Sequence, residues 1–336
     1  MLKKKNFLIL TILFLVLMAG CFFILDFYRY GSSPAYLSEK KKVFIVKKGQ
    51  NTNSVTIELL KQGLIREPFK FKLLARIRGL NENIKAGEYL LSPSMTPASV
   101  IEKMIKGEVR LRRITVPEGF TIRQIASLIN DAGLEQQDVF NRYATDPLLT
   151  RQMNIDADTF EGYLFPDTYY FSKGITSKKI ISTMLKRFRS VFKTELKKRA
   201  QDIGLSVHEI VTLASIIEKE TGKPFERPII SSVFHNRLKK KMRLESDPTV
   251  IYGISDFNGN ITRKDLKRRT PYNTYRKRGL PLGPIANPGA EALKAALYPE
   301  DTDYLYFVSK RDSTHQFSTN IRDHNRAVRR YQLLRR

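Results

Sequence analysis

Cysteine is almost missing from these 336 residues: Cys21 is the only one, and it lies inside an apolar run near the N-terminus. The remaining chain therefore holds no disulfide framework, no thiolate metal site and no thiol nucleophile. Histidine is scarce as well, with only His208, His235, His315 and His324. His208-Glu209 opens the H-E-x-x-H pattern of zinc proteases, but Thr212 stands where the second histidine belongs, so that motif fails. Acidic residues are also short. Against 59 Lys and Arg stand 33 Asp and Glu, a formal net charge of +26. Such a field draws polyanions, whether nucleic acid, anionic lipid or an acidic wall polymer. The basic clusters at Lys239-Lys240-Lys241 and at 263–269 come with no helix-turn-helix, zinc finger or RNA-binding aromatic motif, which weakens the nucleic-acid reading. Hydrophobic residues make up 42%, enough for one large core or two modest ones.

What the chain has in plenty comes first at its N-terminus. Lys3, Lys4 and Lys5 precede an apolar run from Phe7 to Leu25, long enough to approach the width of a bilayer core. The lysines favour a cytoplasmic N-terminus. A cleaved signal peptide is the first rival, but Phe22, Phe23, Ile24 and Leu25 continue the run where a cleavage site would fall. A lipoprotein is the second: Met18-Ala19-Gly20-Cys21 loosely resembles a lipobox, and whether Cys21 carries lipid stays open. The favoured reading is an uncleaved anchor over residues 7–28, after a cytoplasmic tail at 1–6 and before a linker at 29–42 rich in Gly, Ser, Pro and Lys.

Beyond the linker, a strand at Val43–Val46, a turn at Gly49 and a helix bearing Val55 and Leu59 end at Gly63. The arrangement recurs at a constant offset: Val46 matches Val116, Gly49 Gly119, Val55 Ile125, Leu59 Ile129, Gly63 Gly133 and Leu64 Leu134. The segments 43–64 and 113–134 are therefore expected to share one strand-turn-helix conformation. Further on, helices are expected at 177–201 and 206–221, a loop-rich stretch at 247–288, a hairpin from Tyr304–Ser309 and His315–Ser318, and a basic helix from Asn325 to Arg336.

The stretch after Ser206 carries the chemistry. Ser206 and Glu209 form a capping box, Ile210, Leu213 and Ile217 make a buried stripe, and Gly222 and Pro224 end the helix. Glu218 and Glu220 thus fall in its last turn, against the negative end of the macrodipole. Apolar neighbours and that dipole both favour the protonated form of a carboxyl, as a general acid requires. Ala214 and Ser215 are small enough to leave room for a ligand. Spacing alone, however, reads both glutamates as solvated charges at a helix end. A pair of glycosidase carboxylates must converge across one sugar bond. Residues two apart on a helix diverge, so Glu218 and Glu220 do not form such a pair.

Ordered blocks around this helix resemble one family. They are Leu213-Ala214-Ser215-Ile216-Ile217-Glu218-Lys219-Glu220-Thr221, Val233-Phe234-His235-Asn236-Arg237-Leu238 and Asp247-Pro248-Thr249-Val250-Ile251-Tyr252-Gly253. Tyr272-Asn273-Thr274-Tyr275, Gly279-Leu280-Pro281, Pro284-Ile285-Ala286-Asn287-Pro288-Gly289, Tyr304–Val308 and an upstream Glu161–Tyr169 complete the set. Together they are similar to endolytic murein transglycosylases of the MltG (YceG-like) family.

The resemblance implies an α+β fold: one transmembrane helix, a membrane-proximal region over 43–150 and a loop-rich mixed α/β catalytic domain over 155–336; within 43–150, the V-x-x-G of Val46 and Gly49, the helix after it and the pair Gly63-Leu64 look like a LysM module over about 43–90. It implies a lyase that cuts the MurNAc-GlcNAc bond within glycan strands, leaves 1,6-anhydro ends, and terminates or trims nascent strands. Glu218 is then the acid and base. Asn236, Tyr252, Asn273, Thr274, Tyr275 and Asn287 are candidates for binding sugar hydroxyls and acetamido groups, while Arg237 is expected in a structural ion pair. No cofactor and no metal are implied. The implied partners are peptidoglycan glycan strands, inner-membrane lipid and peptidoglycan synthases, with no nucleic acid. The implied location is the bacterial cell membrane, single-pass, with the catalytic domain on the periplasmic side. The alternatives are a non-catalytic wall-binding or scaffold protein and, behind it, a basic nucleic-acid-binding protein.

Overall fold

The computed structural model describes residues 2–333, in two compact units: 2–112 with Ser172–Gly174, and Arg113–Phe171 with 175–333. The first unit opens on helix α1 (Leu2–Ser32). Its stretch Asn6–Ser32 reaches a mean hydropathy of 3.0 and is long and apolar enough to cross a membrane, a test that a signal sequence also passes. The helix does not stop where the apolar run stops. Phe27 and Tyr30 pack against a core that includes Phe44, Leu59, Phe71 and Met104. Lys70 Nζ reaches Asp26 at 2.5 Å, and Tyr30 Oη donates to Glu67 O at 3.2 Å. Residues 29–42 are thus not a free linker. They are helix as far as Ser32, and the segment after it is tied down by Tyr36 N–H donating to Pro93 O at 3.0 Å. The Arg66 guanidinium lies 4.3 Å over the Tyr36 ring.

Strand β1 (Lys42–Val46) leads into α2 (Thr52–Lys61), α3 (Pro68–Ile77), α4 (Leu80–Asn83), β2 (Gly87–Leu91) and α5 (Pro97–Lys106). β1 and β2 pair antiparallel, with Phe44 opposite Tyr89 and Val46 opposite Gly87. The period-2 alternation turns Phe44 and Val46 into the core and leaves Val43 and Ile45 exposed.

The second unit repeats this plan. β3 (Leu111–Thr115), α6 (Ile122–Asp131), α7 (Gln137–Ala144), α8 (Pro147–Gln152) and β4 (Thr168–Ser172) follow in the same order, and β3 pairs with β4. The local match is close. Gly49 and Gly119 take φ of 79° and 75°, Gly63 and Gly133 take 68° and 61°. Asn51 and Thr121 cap α2 and α6 through their side chains. Leu64 N–H returns to Leu59 O at 2.9 Å, and Leu134 N–H to Ile129 O at 3.2 Å. Both segments therefore share the expected conformation, and the likeness runs on past residue 134 through a whole strand-helices-strand module.

Helix α9 (Ser177–Val191) and α10 (Thr194–Asp202) replace the single helix expected over 177–201. The break places Phe192 in the core, stacked on Phe188 at 5.6 Å. Then come α11 (Val207–Glu220), a 3₁₀ turn (Pro224–Glu226), α12 (Arg227–Lys239), α13 (Asp247–Tyr252), α14 (Arg263–Lys267) and α15 (Ala290–Leu297). A hairpin of β5 (Tyr306–Ser309) and β6 (His315–Ser318) follows, then α16 (Ile321–Val328). The expected C-terminal helix starts earlier than Asn325, and its last residues, 334–336, lie outside the described residues. The division between the units falls at Arg112. The reason is packing: Ile114, Ile125 and Phe140 share one core with Ile210 and Leu213 of α11.

Equivalent positions of the repeat should carry equivalent weight. Leu59→Ala and Ile129→Ala, at sites 0% and 1% exposed, should each destabilise the protein by about 2–5 kcal/mol. Denaturant unfolding of the full chain in detergent checks this, and a loss below about 1 kcal/mol at either position would remove it from the core.

Candidate active site

Helix α11 begins as its capping box dictates: Ser206 Oγ accepts from Glu209 N–H at 3.1 Å, and Glu209 Oε2 accepts from Ser206 N–H at 2.8 Å. It is buried not on one stripe but on every side, since Ile210 through Ile217 are all buried. The small Ala214 and Ser215 hold no space for a ligand. The 284–287 loop fills it, with Ile285 N–H donating to Ser215 Oγ at 3.0 Å. Alanine-rich α15 packs directly on α11, and Ala292, Ala295 and Ala296 are buried there.

Glu218 stands in the last turn of α11 with its side chain only 6% exposed. Oε1 accepts from Arg227 Nη2 at 3.0 Å, and Oε2 accepts from Gly289 N–H at 2.9 Å. Arg227 opens α12, and Gly289 is the N-cap of α15. The carboxylate therefore lies at the negative end of its own helix and the positive end of another, so the unfavourable dipole is offset. A second carboxylate shares the guanidinium: Glu118 Oε2 lies 3.6 Å from the same Arg227 Nη2, with its side chain 49% exposed. Burial raises the Glu118 carboxyl above the usual range, and Glu218 and Glu291 add to this while Arg227 opposes it. Arg227 Nε is buried and has no hydrogen-bond partner among the described residues.

The loop carrying Glu118 is held by main-chain pairing. Gly119 N–H donates to Asn287 O at 2.9 Å, and Asn287 N–H donates to Phe120 O at 2.8 Å. Beneath lies a buried polar hub. Glu161 accepts from Ile122 N–H at 3.1 Å, from Tyr252 Oη at 2.9 Å and from Asn287 Nδ2 at 2.9 Å. Asn287 Oδ1 accepts from Leu164 N–H at 2.9 Å. Burial pushes the Glu161 carboxyl up to about 7, with these hydrogen bonds pulling the other way. Gly162 is required here: a Cβ in its place would meet Val211 Cγ1 and Pro284 Cγ at 2.6 Å, and its φ is 87°.

The family model described as the YceG-like family matches residues 44–330, nearly the whole chain. The chain belongs to the YceG-like family. It is 35% identical to a Bacillus subtilis protein named endolytic murein transglycosylase, over 90% of this chain and 89% of that one. It is 30% identical to a Streptococcus pneumoniae protein of the same name, over 96% of this chain and 65% of that longer one. A crystal structure of a YceG-like protein from Listeria monocytogenes is 34% identical and superposes with a TM-score of 0.59, covering 86% of this chain and 99% of that chain.

In this YceG-like chain, several polar residues expected to bind sugar do other work. Asn273, Thr274 and Asn287, three of the residues expected at the sugar, are 0% exposed in this structure. Asn273 Nδ2 donates to Arg268 O at 2.6 Å and Leu266 O at 3.1 Å, closing its loop. Thr274 Oγ1 bonds Ser246 N–H at 3.0 Å and Thr249 Oγ1 at 2.8 Å. The physical reason is common to them: a buried loop has main-chain groups without sheet or helix partners, and short polar side chains satisfy them. Asn236 Nδ2 donates to Thr302 O at 2.7 Å and Tyr304 O at 3.1 Å, fixing the approach to the hairpin. Tyr252 is committed to Glu161, and Tyr275 Oη donates to Asp247 Oδ1 at 2.7 Å. Burial raises both tyrosines. Arg237 is structural, as expected: it pairs with Glu245 at 3.5 Å and donates to Leu305 O at 2.7 Å and Leu244 O at 2.8 Å.

Glu220 does not join Glu218. Its carboxyl turns away to accept from Ser246 Oγ at 2.5 Å, and burial pushes it up to about 7, with Asp247 adding and Ser246 and Arg237 opposing. The groups gathered around Glu218 that the expected set lacks are Arg227, Glu118 and the Gly289 N–H. A signal existed for one of them: Glu118 is an acid in a turn whose counterpart in the first copy is Lys48.

Glu161 and Glu220 set a pH dependence. Both stand near 7 in the folded state against an ordinary 4.5. The folded state thus keeps protons that the unfolded chain releases. The stability they contribute is whole below about 4.5 and is lost as pH rises through about 7. Unfolding free energy of the full chain should therefore fall from about pH 5 to about pH 8, and Glu220→Gln should flatten part of that fall. Equal slopes for wild type and variant in circular-dichroism unfolding would refute it.

Proposed function

We propose that this chain is an endolytic murein transglycosylase, a lyase in which Glu218 serves as both acid and base. The observation that carries the reading is one carboxylate, bound at each oxygen by a separate donor, at the convergence of α11, α12 and α15 in a chain that belongs to this family. Glu218 gives its proton to the oxygen linking MurNAc to GlcNAc, and the bond from that oxygen to the anomeric carbon breaks. The MurNAc 6-hydroxyl oxygen then closes on the anomeric carbon and returns a proton to Glu218. One group alternates roles, and no water is consumed. Because Glu220 is engaged with Ser246, it supplies no second carboxylate to this step. The cut frees 1,6-anhydro ends within strands, a reaction suited to terminating or trimming new glycan. Of the six residues proposed for sugar contact, Asn236, Tyr252 and Tyr275 keep some exposed surface, and Asn273, Thr274 and Asn287 are buried.

Glu218→Gln should abolish cleavage while preserving the fold, a loss of about 10² to 10⁴ or more in rate, and Glu220→Gln should cost clearly less. The check is the mass of products from purified peptidoglycan. A transglycosylase leaves an end lighter by one water than a hydrolase does. Ordinary reducing ends at MurNAc would sink the mechanism, and an equally inactive Glu220→Gln would reopen a two-carboxylate hydrolase.

The reading extends to the setting of the enzyme. The apolar helix α1 is proposed to span the cell membrane with its lysine-flanked N-terminus inside, and the rest of the chain faces the wall, within reach of lipid headgroups and of peptidoglycan synthases. Support comes from α1 itself, which runs unbroken into the first unit and is tied there by Asp26 and Tyr30. The module from β1 to β2 is proposed as LysM-like, a hold on the N-acetylated strand. Protease added to intact protoplasts should digest everything beyond α1. Protection of the large domain would overturn the topology.

A further inference from the structure

Glu218 is poorly available in this structure. Both its oxygens are occupied and its side chain is 6% exposed, yet a glycosidic oxygen must reach it. One of its two donors has an alternative. Arg227 Nη2 lies 3.0 Å from Glu218 and 3.6 Å from Glu118, so one nitrogen stands between two carboxylates. Glu118 also lies beside the residue that supplies the other donor. A Cβ at Gly289 would come within 1.8 Å of Glu118 Oε1 and 2.1 Å of its Cδ, so this carboxyl packs against the residue whose N–H binds Glu218. Its position is fixed from below, because Gly119 is locked to Asn287 and Lys219 Nζ donates to Gly119 O at 3.4 Å.

We infer that Glu118 is a positioning residue of the reaction, the alternative partner that holds Arg227 whenever Glu218 carries the proton. The inference rests on the reading of Glu218 as acid and base. A lone arginine paired with a lone glutamate would keep that glutamate ionised, and protonating it would leave a buried guanidinium unpaired at considerable cost. Glu118 removes this obstacle. Arg227 swings its hydrogen bond to Glu118 as Glu218 takes up a proton, and returns when Glu218 gives it to the leaving oxygen. The charged groups facing Glu218 are Arg227 from α12, Glu118 and Lys219 beside the 117–119 turn, and Glu291, which acts on Glu118 from the first turn of α15. Glu118 is the one that both repels a second negative charge and offers Arg227 another acceptor.

The test is the pH profile of strand cleavage by the full chain in detergent, on purified peptidoglycan, for wild type, Glu118→Gln, Glu118→Asp and Glu218→Gln. Glu118→Gln removes the repulsion and leaves Arg227 to Glu218 alone, with no second acceptor for the arginine when Glu218 must hold the proton. The alkaline limb of the profile should move down by roughly one pH unit. The rate near neutrality should fall about tenfold and recover as pH is lowered. Glu118→Asp keeps the charge and should keep the wild-type limb. An unmoved limb in Glu118→Gln overturns the proposal whatever its rate, and so does an equal movement in both variants. Circular-dichroism unfolding reports whether each variant is folded, and Glu118→Ala, with the same expected shift, replaces Glu118→Gln if that variant is not. Product masses keep the two claims apart. Ordinary reducing ends from wild type, or an active Glu218→Gln, sink the reading of Glu218. Anhydro ends and an inactive Glu218→Gln beside an unmoved limb sink only the role of Glu118.

Discussion

The main-chain pairing between Gly119-Phe120 and Asn287 is the constraint on which the site depends. Its two bonds set one register, and the groups on either side of it follow from that register. Glu118 lies one residue to one side and Gly289 two residues to the other, so the carboxyl and the N–H reach Glu218's surroundings together. The pairing is buried, and its register is reinforced by Asn287's side chain, which bonds Leu164 N–H, Phe120 O and Glu161 at once. Leaving any one of these groups unpaired would cost about 1–3 kcal/mol, so a slipped register is excluded by several penalties acting together.

In a chain so short of acid, where the carboxylates are placed is informative. Three of them gather at the end of α11, and each ties a different element to it. Glu218 binds the starts of α12 and α15. Glu220 binds Ser246 at the entry to α13. Glu226 accepts from His315 N–H and lies 2.8 Å from His315 Nδ1, while Thr221 Oγ1 donates to it at 3.2 Å, which fastens the β5–β6 hairpin. The C-terminal end of α11 is thereby a junction made of charge and hydrogen bonds, whereas its middle, Ile210 to Ile217, is held by apolar burial. Only the first of the three carboxylates is bound through an arginine that has a second acceptor.

How much of this was legible in the sequence follows the range of the interactions. Helix α11, its capping box, the repeated turns and the C-terminal hairpin are written in local patterns, and the structure carries them all. The catalytic candidate could be placed because a motif names it. Its partners could not. Arg227 follows a helix break, Glu118 lies far upstream, and the decisive donor at 289 is a main-chain N–H with no side chain to betray it. The double reading of Asn273, Thr274 and Asn287 has the same root. Residues that bind sugars and residues that close buried loops are the same short polar types, and only burial separates the two uses. Nothing in β3 or α6 alone tells which core they will join.

The duplicated module shows that difference most directly, because one local conformation appears in two settings. At Gly49 the turn is open: a Cβ there would meet no described atom within 4 Å. At Gly119, with nearly the same φ, a Cβ would touch Glu218 Cγ and Lys219 Cδ at 3.5 Å. The residue before the glycine is Lys48 in the open turn and Glu118 in the packed one. The backbone of the turn is therefore not what makes a site. A strand, a positive-φ glycine and a capped helix deliver one exposed side chain at a fixed height, and the element packed against the turn decides what that side chain does. In the second copy that element is the end of α11, which is why a lysine there would pair with Glu218 and compete with Arg227, whereas a glutamate gives Arg227 somewhere else to go.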